Sequence, residues 1–140
     1  MNYFSVSKYA GGRYQFNSLL HWMQKTGVDL SKKTTPSFTI LDSGCGDGAM
    51  SEHLLQTYPS FKVVGFDISE QQIKGAVARC SKFTDRSQFI VAGFDQFNTT
   101  TSVDFTLASF SLHLAPSMER AVKKITAPLK SGVSEIKIQM

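Results

Sequence analysis

The run Leu41-Asp42-Ser43-Gly44-Cys45-Gly46-Asp47-Gly48 joins a short apolar stretch to a segment with helical spacing. Glycines at alternate positions let the backbone turn tightly and approach a ligand with no Cβ in the way, which makes the run a nucleotide or anion cradle. Its spacing, G-x-G-x-G, differs from the dinucleotide pattern G-x-G-x-x-G. A carboxylate, Asp42, stands two residues ahead of the first glycine. Placed beneath the loop, it repels a pyrophosphate and suits a cationic ligand end. A second carboxylate, Asp67, follows Gly48 by 19 residues at the end of another apolar stretch. From there it can accept both hydroxyl hydrogens of a ribose. Plainer readings stay open: Gly44 to Gly48 as an ordinary tight turn, and Asp67 as a solvated strand-end acid or a cap for the helix near Ser69.

The elements that position these groups follow from periodicity. Phe38 to Leu41 reads as a buried strand and Ala49 to Thr57 as a helix, through Met50, Leu54 and Leu55, stopped at Tyr58-Pro59. Lys62 to Phe66 is a second strand. Ser69 and Gln72 form a capping-box pattern before a helix whose buried face is Ile73, Ala76 and Val77. Further strands are expected at Gln88 to Ala92, Val103 to Ser109 and Gly132 to Gln139, with a helix over Ser117 to Thr126. Strands alternating with helices imply an α/β fold: an open, mainly parallel sheet of about five strands with helices on both faces. Phe16, Leu19, Leu20 and Met23 predict one more helix after Gly11-Gly12. Residues 1–35, with the aromatic-rich leader Tyr3 to Tyr14, are therefore expected to form a helical cap, and residues 36–140 the core of a single domain.

The first motif resembles that of the class I S-adenosylmethionine (SAM)-dependent methyltransferases, whose small-molecule branch carries the form L-D-x-G-C-G-x-G. The resemblance covers roughly Phe38 to Gly132 and implies a Rossmann-like fold with SAM as cofactor. By it, Asp42, Ser43, Gly44, Cys45 and Gly46 would hold the methionine part, Asp67 the ribose hydroxyls, and Ile68 would pack on the adenine. The stretch Asp104 to Leu114 looks like the family's fourth motif, which would set Ser109 and Phe110 beside the transferred methyl group. The pattern departs at Gly93, where the family usually has an Asp for the adenine amino group. Asp95 is the nearest substitute, with Phe94 flanking the adenine, against the alternative of a plain turn Asp. The implied activity is methyl transfer to a small-molecule acceptor, the alternatives being a SAM-binding module without catalysis or a fragment of a larger methyltransferase.

Methyl transfer from a sulfonium asks mainly for proximity and alignment, so no general base is required. His113 is the one weak candidate for that role, its pKa lying near neutrality, but its apolar surroundings from Phe110 to Leu114 favour packing. Cys45 near a helix N-terminus invites a nucleophile reading, yet no His is spaced to serve it. The two cysteines and three histidines match no zinc pattern, so no metal is expected.

At 140 residues there is room for one domain and no separate substrate domain. No apolar run reaches the length of a membrane span, and Met1 to Lys8 lacks an apolar leader region, so a cytoplasmic protein without a membrane partner is expected. The net charge is +4, but the cations are scattered, with only Lys32-Lys33 and Lys123-Lys124 adjacent. That is unlike the clustered basic face of a nucleic-acid binder, and no nucleic-acid partner is expected.

The family's usual sheet has seven strands, the last antiparallel and paired with the fifth, and this chain lacks segments for the last two. Its final strand alternates Glu135, Lys137 and Gln139 with Ile136 and Ile138. An unpaired outer edge there would recruit another chain. Two outcomes stay open, a monomer edge protected by Glu135 and Lys137 or a homodimer formed through this strand or the neighbouring helix, and the homodimer is favoured.

Overall fold

The computed structural model describes residues 3–7, 38–109, 115–129 and 135–139. Through them the chain runs β1 (Tyr3–Ser7), β2 (Phe38–Ser43), α1 (Ala49–Thr57), β3 (Phe61–Asp67), α2 (Glu70–Arg79), β4 (Ser87–Val91), β5 (Phe105–Ser109), α3 (Met118–Thr126) and β6 (Glu135–Gln139). The strands form one sheet in the order β1-β6-β5-β2-β3-β4, and every pairing is parallel. Strand β2, near the centre, is buried at all six positions, as a parallel strand covered on both faces must be.

Alternation along the strands splits the core into two layers. Phe38, Ile40, Phe61, Phe105 and Leu107 point to the α1 side and enclose Leu54. Leu41, Val64, Phe66 and Ala108 point the other way, where Ala121 and Ile125 of α3 close over them with Phe94 and Phe97. Phe66 and Phe97 stack at 4.2 Å.

The helix ends are set by local polar groups. The Ser69 hydroxyl accepts from the Gln72 amide at 3.2 Å, fulfilling one half of the expected capping box, and Ser117 caps α3 through the Arg120 amide at 3.3 Å. At the other end of α1 the Arg86 guanidinium donates to the carbonyls of Leu55 (3.0 Å), Phe61 (2.9 Å) and Tyr58 (3.3 Å). A cation there satisfies the Leu55 carbonyl that the helix end leaves unpaired and bridges it to the start of β3.

The sheet has six strands where about five were expected. The sixth is β1, so part of the segment read as a helical cap belongs to the sheet. It lies parallel on β6, from Tyr3 opposite Glu135 to Ser7 opposite Gln139. The outer edge of β6 is therefore paired within the chain, which removes the physical basis for a homodimer through that edge. The expected helix at Phe16 to Met23 lies outside the described residues, as do the faces taken by the alternating side chains of β6. Strand β5 starts at Phe105, later than expected, Val103 making only an isolated bridge to Leu129. Among the described residues no helix is long and apolar enough to cross a membrane.

Candidate functional site

At the carboxyl ends of β2 and β3 the chain turns through Gly44, Gly46 and Gly48, whose φ angles are 70°, 58° and 82°. Left-handed backbone at three alternate positions is why glycine recurs there. The turn is anchored by Cys45, whose amide donates to the Phe66 carbonyl at 2.9 Å. At Gly48 the reason is also steric: an added Cβ would lie 2.9 Å from the Ala76 Cβ, so its absence lets α2 close on the loop. At Gly46 the opposite holds, for an added Cβ would meet nothing within 4 Å. The loop thus presents bare backbone to open space.

Two carboxylates support it in different ways. Asp42 is buried, 2% exposed, and accepts from the Ser51 hydroxyl at 2.9 Å. Burial, with a smaller contribution from the charge of Asp67 and partly offset by the Ser51 hydrogen bond, lifts its pKa to about 6. Asp67 at the end of β3 accepts from the Gly46 amide at 3.0 Å through Oδ2 and from the Ser69 amide at 2.9 Å through Oδ1. One side chain therefore ties the loop to the start of α2. Each carboxylate oxygen has further lone-pair capacity. Next to it Ile68 is 72% exposed, an apolar side chain held in the open. Its Cδ1 lies 3.4 Å from where a Gly93 Cβ would stand, so Ile68 and the bare backbone of Gly93 form one shallow wall.

The expected site residues Asp42, Ser43, Gly44, Cys45, Gly46, Asp67 and Ile68 all gather at this loop. Ser109 ends β5, one residue beyond the Ser43–Ala108 pairing, at the same end of the sheet. Phe94 differs from expectation: it is 8% exposed and packs edge-on against Phe66 at 5.3 Å, a core position rather than an open wall. The Asp95 carboxylate is turned to Arg120, 3.6 Å away. Phe110 and His113 lie outside the described residues. Cys45 carries no thiolate at neutral pH. Burial, followed by the charges of Asp42 and Asp67, pushes its pKa up, which outweighs any help from the neighbouring helix. Among the described residues no group of three His, Cys, Asp or Glu side chains could hold a metal ion.

Two contributors were not read from the sequence. Ser51 is one; its place one turn before the buried Leu54 and Leu55 was the available signal. Arg79 is the other: it donates to the Asp47 carbonyl (3.2 Å) and carboxylate (3.0 Å) and to Glu52 (3.4 Å), lashing the loop to the end of α2.

Comparison with known proteins agrees with this geometry. Residues 40–132 match the family model described as "Methyltransferase domain". Ribosomal RNA small subunit methyltransferase H of Corynebacterium kroppenstedtii is 34% identical over 73 residues, 52% of this chain and 18% of that protein. The plantazolicin methyltransferase BpumL, solved in complex with SAH, superposes with a TM-score of 0.70 at 26% identity, covering 89% of this chain and 48% of BpumL. StiE O-MT (residues 961–1257) superposes with a TM-score of 0.74 at 20% identity, covering 89% and 43%, which speaks to the fold alone. The chain spans less than half the length of each of these relatives. With its parallel sheet, glycine loop and matching family model, the chain belongs to the methyltransferase-domain family, with the Rossmann-like fold of class I SAM-dependent enzymes.

Proposed function

We propose that the chain binds SAM over the Gly44–Gly48 loop and transfers its methyl group to a small-molecule acceptor. The open space above Gly46, where even a Cβ meets no atom within 4 Å, is the observation that carries this reading. Beside it, Asp67 has lone pairs left for ribose hydroxyls, and exposed Ile68 offers an apolar face to the adenine. Asp42, negative once ionised, favours the cationic methionine end from beneath the loop. When bound, SAM supplies an activated methyl group, transferred by in-line displacement with a neutral thioether leaving. The chain's contribution is proximity and alignment, which need no buried base. The likeness to BpumL supports a small acceptor, and the relative named for ribosomal RNA supplies the competing one. Calorimetric titration with SAM and with NAD tests the cofactor: micromolar SAM binding without NAD binding is expected, and the reverse refutes the reading. Methyl transfer assayed against small phenols, amines and carboxylic acids, with ribosomal RNA in parallel, tests the acceptor. Transfer to RNA alone overturns the small-molecule assignment.

A further inference from the structure

On the sheet face opposite α1, a cleft of ≈ 540 Å³ lies between α3 and the segment that follows β4. Its volume is within the range of about 300–1,000 Å³ typical of small-ligand sites. Arg120, Lys123 and Lys124 line it from the helix, and Asn98 and Thr99 from the facing segment. Against these three cations stands one lining carboxylate, Asp95.

The cations differ in how they are held. Arg120 is shared with Asp95 at 3.6 Å, and Lys123 with the exposed Glu119 at 3.5 Å. Lys124 is half-buried, and among the described residues no carboxylate lies within ion-pair distance of it. A lysine cation without a carboxylate partner raises the local potential, and here it does so beside side-chain amide and hydroxyl donors. Arg120, Lys123 and Lys124 fall at i, i+3 and i+4, so they share one helical face within a single turn. Three cations within one turn suit a single compact dianion better than a nucleic-acid backbone, which spreads its phosphates along a strand. The amphipathic helix alone accounts for exposed lysines, but not for a cleft with donors on its far wall.

We propose that this cleft binds the phosphate group of a small molecule, as free phosphate or as a phosphomonoester. The guanidinium of Arg120 and the ammonium groups of Lys123 and Lys124 neutralise it, and Asn98 and Thr99 donate hydrogen bonds from the other wall. A dianion seated there competes with Asp95 for Arg120.

The test titrates the full chain with inorganic phosphate, with glycerol phosphate and with a short single-stranded RNA, following amide chemical shifts. Saturable shifts confined to 95–99 and 118–128 with one of the two phosphates are expected, and which of the two binds more tightly tells a free anion from a monoester. Lys124→Gln should weaken that binding about tenfold. The variant should leave the thermal midpoint and SAM affinity unchanged, since the lysine lies outside the glycine-loop site. Shifts that do not saturate, that scatter over the surface or that persist in Lys124→Gln overturn the proposal. So does tight RNA binding that both phosphates fail to displace. Because binding here is measured without cofactor, its failure leaves the SAM reading standing, and failure of that reading leaves this one standing.

Discussion

Asp42→Asn should separate stability from binding, in opposite directions with pH. The carboxyl group has a pKa of about 6 in the folded chain against 3.8 for the ordinary group. A folded-state pKa above the unfolded one means that the native state holds the proton more tightly. The stability this contributes is complete below pH 3.8 and is lost as pH rises through about 6. At roughly 1.4 kcal/mol for each tenfold change in proton affinity, the loss amounts to about 3 kcal/mol by pH 7. Asparagine keeps the shape and an oxygen for the Ser51 hydroxyl but cannot ionise. Urea unfolding of both proteins from pH 4 to pH 7.5 gives the difference between their stabilities, in which groups unaffected by the change cancel. The variant should gain on the wild type by about 2.5 kcal/mol across that window, part of the effect being already lost at pH 4. The wild type should bind SAM more tightly as Asp42 ionises, while the variant shows no such rise. A stability difference flat to within about 0.5 kcal/mol would refute a proton on buried Asp42, because extrapolation errors are comparable to that.

Removing the Asp67 side chain strips the acceptor from the Gly46 and Ser69 amides as well as from a ribose. Asp67→Ala should therefore weaken SAM binding tenfold to a hundredfold, or about 1.5–3 kcal/mol, and equal affinity in a folded variant by calorimetry would exclude the residue. Gly46→Val places its side chain in the open space over the loop at a φ of 58°. Its fold should survive with a strain cost of about 1–3 kcal/mol, while SAM binding disappears; normal binding would move the cradle elsewhere. Gly48→Ala meets Ala76 instead, and a destabilisation of about 1–3 kcal/mol is expected from the clash and positive φ. A denaturation midpoint unchanged from the wild type would show that α2 yields at no cost.

The strand, loop and first helix around Asp42 to Gly48 were legible because each carries a local signal: an apolar run, glycines at alternate positions, then Leu54 and Leu55 at helical spacing. Ser69 was legible for the same reason, since a cap is written within four residues. Tyr3–Ser7 was not, because a five-residue strand whose partner is 132 residues away leaves no trace in its own neighbourhood. Phe94 and Asp95 misled similarly. Whether an aromatic ring faces a ligand or the core is decided by Phe66, and whether a turn carboxylate is available is decided by Arg120, both distant in sequence. Cys45 shows two local rules in competition, where depth beneath the loop overrides proximity to a helix end.

The pairing of β1 with β6 bears on the order in which the molecule assembles. Strands β2, β3 and β4 follow one another closely in the chain and lie side by side, so their contacts close over short loops at modest entropic cost. The outermost pair joins Tyr3 to Glu135, and residues 3–7 have no strand to join until residues 135–139 are available. That pairing spans a long separation along the chain, so it closes at greater entropic cost and more slowly than the pairings of the central strands. The glycine loop, by contrast, rests on β2 and β3 and is complete before the sheet is.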